Sequence, residues 1–377
     1  MKSKYFYALA TYTGTIIGAG IFGLPYVASR AGLWPMLVYF LVIGAVILSA
    51  SLLFGQVVSA TGGHHRLPGY ASLFLGKRIK HFVFAFSILG LVGALLTYII
   101  IGGEFLYGLF GGLIGGPVII YVLIYFAAGA YLVFRDARTV SRIEIIMLIL
   151  LLLLIILFAW AGASRVDFSF FKAESNNIFI PFGVLIFSLW GMSIIPEVSE
   201  MLKNEPQKLK KVIISGLIIS AVIYLCFIFI VWGVSGPATS EDAISGLHGI
   251  LGEKVILFGY MFGFLATFTS FITIGLVLKK VFWYDYGVPK NYAWFFAVFI
   301  PLALYLLGLR SFISVIGITG AFALGVEGII IFLICLRAKK FCAGKEPYRF
   351  SLPTFVKIIF ILIFITGVVF QLINLLK

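Results

Sequence analysis

Thr13-Gly14-Thr15-Ile16-Ile17-Gly18-Ala19-Gly20-Ile21-Phe22-Gly23-Leu24-Pro25 puts four glycines and a proline into thirteen otherwise apolar residues. A continuous helix does not choose that density, because an interior glycine costs about 1 kcal/mol and a proline about 3 kcal/mol relative to alanine. Proline also removes a backbone hydrogen bond. The stretch lies inside an apolar run from Tyr5 to about Ser29 that follows Lys2 and Lys4. The run is longer than the core of a secretory signal and long enough to cross a bilayer, which takes about 20 residues. The spacing predicts a membrane-spanning helix interrupted near its middle. A second stretch, Ser188-Leu189-Trp190-Gly191-Met192-Ser193-Ile194-Ile195-Pro196-Glu197-Val198, repeats the pattern at a fixed offset. Gly191 and Pro196 stand 171 residues after Gly20 and Pro25, and Val198 and Val27 each follow their proline by two.

The rest of the chain suits such spans. Of 377 residues, 62% are hydrophobic and 11% charged, with a mean hydropathy of +1.15. Soluble domains run near half apolar and a quarter charged, so a soluble enzyme is excluded. Eleven apolar runs fall at about 5–29, 33–59, 82–110, 117–134, 140–162, 178–202, 212–234, 255–278, 291–308, 312–336 and 354–376. They are continuous and do not alternate, which excludes a β-barrel and leaves a helix bundle. The piece at about 235–254, with Glu241, Asp242 and Glu253, is expected to form at most a short outer helix. The formal charge of +14 does not mark a nucleic-acid binder. With the N-terminus in the cytoplasm, 22 of the 28 Lys and Arg fall on inner segments; only Arg30, Arg165, Lys172, Lys254, Arg310 and Lys377 fall outside. That is the positive-inside asymmetry of a multi-pass protein of the plasma (cell inner) membrane, with its C-terminus outside.

The second interrupted run is the sixth, an odd number of spans (five) after the first, so the second copy enters from the opposite face. The expectation is an all-α integral membrane protein of eleven transmembrane helices, a single transporter domain over 1–377. It comprises two inverted repeats of five helices, about 5–162 and 178–336, with helices 1 and 6 broken, plus an extra helix at about 354–376. Matched interruptions of this kind point to a transport site. A break frees backbone N–H and C=O groups that hydrocarbon cannot satisfy, so they must face water, an ion or a substrate. The half-helix starting near Ala19 and Gly20 aims its positive end at an anion such as a carboxylate, and the carbonyls ending the preceding half suit an ammonium or a cation. Together they match a zwitterion. Glycines that merely let helices pack closely would account for Gly14, Gly18 and Gly23, but not for the repeat at offset 171.

Thr15 to Pro25 resembles the first-helix signature of amino acid permeases in the amino acid, polyamine and organocation superfamily. The segment from Gly62-Gly63 through Pro68-Gly69-Tyr70-Ala71 to Leu75-Gly76-Lys77 matches as well. So does Pro196-Glu197-Val198 followed by Asn204-Glu205-Pro206-Gln207-Lys208-Leu209-Lys210-Lys211. With eleven spans the chain is most similar to the hydroxy and aromatic amino acid permeases, the tryptophan/tyrosine permeases among them, and to auxin permease-like relatives. It departs from many of them at Ser188-Leu189-Trp190-Gly191, where they carry a glycine-histidine pair. The resemblance implies a leucine transporter-type fold with substrate between helices 1, 3, 6 and 8. The expected substrate contacts are Thr15, Gly18, Ala19 and Gly20 at the first break, Phe187, Ser188, Trp190 and Gly191 at the second, and Tyr98, where relatives contact substrate.

In the eighth span Ala266, Thr269 and Ser270 share one helix face. The carbonyls of Gly14, Ile17 and Ala266 with the hydroxyls of Thr269 and Ser270 would supply five oxygens to Na+, the arrangement of sodium-coupled members of this fold. Membrane Thr and Ser also commonly bond the carbonyl one turn back. Glu197 and Glu327 are carboxylates at depth, each either a proton carrier or a partner in a cytoplasmic gate. Glu104 is expected to snorkel to the interface. His64-His65 lack a third ligand, Cys226, Cys335 and Cys342 form no CxxC pair, and no protease, hydrolase or P-loop motif is present, so neither a metal site nor a cofactor is expected beyond a coupling Na+ or H+. The reading is a carrier that imports an amino acid, with the bilayer and no nucleic acid as its other partner. The rivals are an amine or polyamine carrier, which an acidic residue at the first break would favour, and an intramembrane enzyme or channel.

Overall fold

The structure is a computed structural model and describes residues 2–62, 65–136, 140–172 and 178–375. Gly63, His64, Arg138 and Lys377, and the side chains of Lys2 and Arg142, lie outside the described residues. The first apolar run forms α1 (Lys2–Ile16) and α2 (Gly20–Ala31), bent by 47° at the break between them. α3 (Leu33–Thr61) follows directly, with Gly32 at φ 86° making the reversal. Then come α4 (Leu67–Leu75), α5 (Lys77–Ile114), α6 (Val118–Phe134) and α7 (Val140–Gly162). The second broken run forms α8 (Ile180–Leu189) and α9 (Ile195–Met201), followed by α10 (Lys208–Ser235), α11 (Glu253–Lys280) and α12 (Lys290–Leu306). α13 (Phe312–Ile318) and α14 (Gly325–Cys342) are joined by a wide helical turn over Thr319–Leu324, and α15 (Thr354–Leu375) ends the chain.

Each of the eleven apolar runs coincides with a helix or a helix pair. Seven of these, among the described residues, are long and apolar enough to cross a membrane, and the bent pair α1/α2 makes an eighth. α6, α12 and Ile149–Arg165 are shorter apolar helices. Two elements lie outside the eleven apolar runs. The segment around Pro68 is the helix α4, with Pro68 in its first turn, where a missing N–H costs nothing. The outer piece after α10 is two tight turns, at Gly236–Ala238 and Ser245–Leu247, because Gly236, Pro237, Gly246, Gly249 and Gly252 leave no uninterrupted stretch for an α-helix.

Lipid tails give apolar helices no hydrophobic reason to associate, so close packing at small residues sets the arrangement. Gly102 and Gly103 of α5 receive Tyr125 and Val122 of α6, and Gly129 of α6 receives Phe271 of α11. Of the seven long spans, the α8/α9 pair is the most enclosed, with 83% of its apolar window buried, whereas α15 has 17% and lies against α14, where Phe364 fills the space over Gly328. At the Lys/Arg-rich end, Asp136 clasps three helices. Lys279 of α11 lies 2.7 Å from one carboxylate oxygen and Lys290 of α12 lies 2.5 Å from the other, while Lys279 also caps the last carbonyls of α6. Burial works against the ionised Asp136, but these two ammonium groups hold its carboxyl below the usual range.

Candidate functional site

The first break has a definite backbone. Ile17 N–H still donates to Thr13 O, but Gly18 N–H turns back to Ile16 O at 2.9 Å, so Gly14 O loses the donor a continuous helix would supply. Ala19 caps α2 without a side-chain hydrogen bond; Phe22 N–H donates to Ala19 O at 3.1 Å, which leaves the N–H groups of Gly20 and Ile21 as the open ones of the first turn. At the second break, Trp190 is extended (φ −76°, ψ 95°) and a single tight turn at Met192–Ile194 leads into α9, with Pro196 in its first turn.

The two breaks touch. A β-carbon added at Gly20 would fall on Ser188, 2.7 Å from its Cα, and one at Gly191 would lie 2.8 Å from the Tyr12 ring. One at Gly18 would lie 2.8 Å from Tyr98 Oη and 3.2 Å from Ser270 Oγ. Only glycine allows α1/α2, α5, α8 and α11 to converge here. The hydroxyls of Thr15 and Ser188 donate one turn back, to Thr11 O and Val184 O, and keep their lone pairs for a ligand.

Tyr224 of α10, for which the sequence carried no signal, ties the breaks together. Its hydroxyl lies 2.7 Å from Ile16 O and 2.9 Å from Ser188 O and shares its one proton between the carbonyls that end α1 and approach the end of α8. Tyr224→Phe strips both carbonyls of that donor at a fully buried position. A loss of about 1–3 kcal/mol of stability is expected, read as a lower melting temperature in detergent together with slower transport.

Around this junction is a central cavity of about 30 Å³, room for one or two waters in this closed form. Six of the nine expected substrate contacts line it: Thr15, Gly18, Gly20, Tyr98, Phe187 and Trp190. Ala19, Ser188 and Gly191 stand immediately beside it at the breaks. Sequence reasoning did not place Ile16, Gly90, Leu91, Ala94, Ser193, Ile274 and Leu324 at the site, and these also line the cavity. Of the five residues expected around a cation, Ser270 reaches the first break beside Tyr98, whereas Thr269 is half-buried and donates to Ala266 O at 3.1 Å.

Glu327 of α14 belongs to the central cavity and also to a second one, again of about 30 Å³, on the basic side; Leu91 and Ser193 are likewise shared. Arg66 walls that second cavity, and its guanidinium lies 2.5 Å from Glu197, which Lys280 approaches at 3.4 Å. The side chains of Arg66 and Glu197 are 3% and 14% exposed, so this ion pair is largely withdrawn from the surface at the basic end. On the opposite side a vestibule of about 580 Å³ holds Glu104, Glu241, Asp242, His248 and Arg310. Glu104, at the outer end of α5, lines this vestibule. Phe22, two residues past Gly20, stacks edge-on with Phe105 at 4.7 Å, and Phe105 meets Tyr260 of the vestibule wall at 6.1 Å. Aromatic rings therefore stand between the vestibule and the central cavity.

Known proteins share this architecture. A manganese transporter of Eremococcus coleocola superposes with a TM-score of 0.70 over 98% of this chain and 85% of its own, at 12% identity. Mhp1, a nucleobase-cation-symport-1 family transporter, does so with a TM-score of 0.65 over 87% of this chain and 77% of its own, also at 12% identity. These show the fold: an all-helical, multi-span leucine transporter-like bundle with its first span broken. In sequence, the chain is 24% identical over 336 residues to glutamine transporter 2 of Aliivibrio fischeri (strain ATCC 700601 / ES114), covering 85% of each protein. The tryptophan/tyrosine permease family model matches residues 1–374. Matched over almost its whole length, the chain belongs to the tryptophan/tyrosine permease family and is a transporter, not an enzyme.

Proposed function

We propose that this permease imports a neutral amino acid by alternating access, coupled to a cation, across the plasma membrane. The observation that carries the reading is the meeting of two helix breaks at one cavity. The open N–H groups of α2 suit the substrate carboxylate, and the released carbonyls of α1 suit its ammonium. The sealed basic end and the wide opposite vestibule correspond to one end of the transport cycle, with substrate entering through the vestibule past Phe22 and Phe105. In this reading the eleven helical runs are eleven crossings in two inverted repeats plus α15, with the N-terminus and the basic loops in the cytoplasm and the C-terminus outside. The 22 to 6 division of Lys and Arg supports that orientation.

The names of the family and of the glutamine carrier support a neutral amino acid. Na+ is proposed at Gly14, Ile17, Ala266, Thr269 and Ser270, the freed Gly14 carbonyl being its best-supported ligand. H+ is the other coupling ion, with Glu327 as its carrier. Glu197 acts in the cytoplasmic gate. One observation favours an amine carrier instead: a carboxylate, Glu327, lines the cavity. Purified protein in liposomes, given labelled tryptophan, tyrosine, glutamine, lysine and spermidine under separate Na+ and H+ gradients, tests all of this. Accumulation of a neutral amino acid under one gradient is expected. Uptake of spermidine alone would replace the reading, and Na+-independent uptake would remove the proposed Na+ site.

A further inference from the structure

Resting on the amino acid reading above, we infer that Glu327 is a specificity residue that accepts a hydrogen bond from an N–H or O–H donor at the far end of an uncharged substrate side chain, such as an indole, a phenol or a carboxamide.

Glu327 is 6% exposed and has no ion-pair partner among the described residues. The Ser87 hydroxyl and the Trp190 indole N–H face it, yet neither completes a hydrogen bond. A carboxyl held away from water in this way is costly unless a donor reaches it. Its place in the cavity decides which donor. Gly18, beside the first break, lies against Tyr98, and Glu327 lies against Ser87. Both contacts are on α5, at different levels of the one cavity that Gly18, Tyr98 and Glu327 line together. A substrate held in this cavity with its carboxylate on the first turn of α2 would present its side chain to the remaining wall, of which Glu327 is the one ionisable carboxyl. Between the two ends the wall is apolar and aromatic, with Leu91, Ala94, Phe187, Trp190 and Leu324, which suits an uncharged side chain with a single polar tip. Either oxygen of a carboxyl can accept, whatever its protonation state. When a side chain without a donor binds, Glu327 is left with only the Ser87 hydroxyl and the Trp190 N–H facing it, neither in a completed hydrogen bond. Discrimination of that kind is strong because it leaves a buried polar group unpaired.

The test is uptake into liposomes of three matched pairs: tyrosine with phenylalanine, tryptophan with 1-methyltryptophan, and glutamine with methionine. In the wild type, KM for the donor-bearing member of each pair is expected to be roughly 10- to 100-fold lower. Phenylalanine is smaller than tyrosine, so bulk does not explain its rejection. Glu327→Leu is expected to bring the ratios within about threefold of unity, and Glu327→Gln, which keeps an acceptor oxygen, to preserve most of them. Wild-type ratios near one would overturn the inference without reference to any variant. So would a Glu327→Leu protein that slows both members of each pair equally, as the loss of a proton carrier or of an ammonium partner would. Absence of all amino acid uptake would overturn the transport reading itself, and this inference with it.

Discussion

Gly20→Val should reduce amino acid uptake by on the order of 100-fold or more while the protein still purifies as a folded species. A β-carbon at this position meets Ser188 Oγ, Cβ and Cα, the last at 2.7 Å. Rotating the serine side chain cannot relieve a clash with its backbone, so α2 and α8 must move apart. Their separation displaces the open N–H groups of α2 from the place where a carboxylate would be held. Displacements of about 1 Å at a binding constellation cost about 100-fold in rate. Gly44→Ala is the control, because a β-carbon there meets nothing within 4 Å. Uptake rates and gel-filtration profiles of the two variants, side by side, separate a lost site from a lost fold. Equal uptake by Gly20→Val and wild type would show that the breaks need not touch.

Arg66→Ala should open the basic end. Removing one partner of a buried ion pair costs about 3–5 kcal/mol, chiefly because the other charge stays buried and uncompensated. Glu197 would keep only Lys280, at 3.4 Å. That penalty falls on the closed form alone, since an open gate hydrates the carboxylate. It corresponds to a shift of at least about 100-fold toward the open form. Ser193 lies in both cavities, so Ser193→Cys reports the change. With Cys226, Cys335 and Cys342 replaced by serine, alkylation from the basic side should be faster in Arg66→Ala, and net uptake slower. Exchanging the charges, with Arg66→Glu and Glu197→Arg together, should return part of the lost rate. Unchanged alkylation would place the gate elsewhere.

Both breaks were legible in the sequence because glycine and proline act locally. Gly20, Pro25, Gly191 and Pro196 disfavour a helix whatever surrounds them, and their offset of 171 revealed that the two interruptions correspond. Glu327 was legible for a related reason: a carboxylate within an apolar run is expensive and stands out. Tyr224 was not. It is one of 18 tyrosines, and its role arises only when tertiary packing brings Ile16 O and Ser188 O to the same hydroxyl. Leu91, Ala94 and Leu324 were hidden likewise, since an apolar residue that lines a cavity reads like one that faces lipid. Thr269 marks a different limit. Helical spacing placed it correctly on the face of Ala266 and Ser270, but spacing cannot say where a hydroxyl proton goes, and this one returns to Ala266 O. Arg66 and Glu197 stand 131 positions apart, so their pairing came from the fold alone.

The claim that the junction of the two breaks holds the substrate is tested most directly by protection of a single cysteine. Ala94→Cys, in a chain whose three native cysteines are serine, places a thiol on the wall of the central cavity. A small membrane-permeant thiol reagent should label it, and the amino acid the protein carries should slow labelling at the concentrations that saturate uptake. An amino acid that is not carried should leave the rate unchanged. Labelling that proceeds at one rate with and without saturating substrate would contradict the claim and move the binding site away from the broken helices.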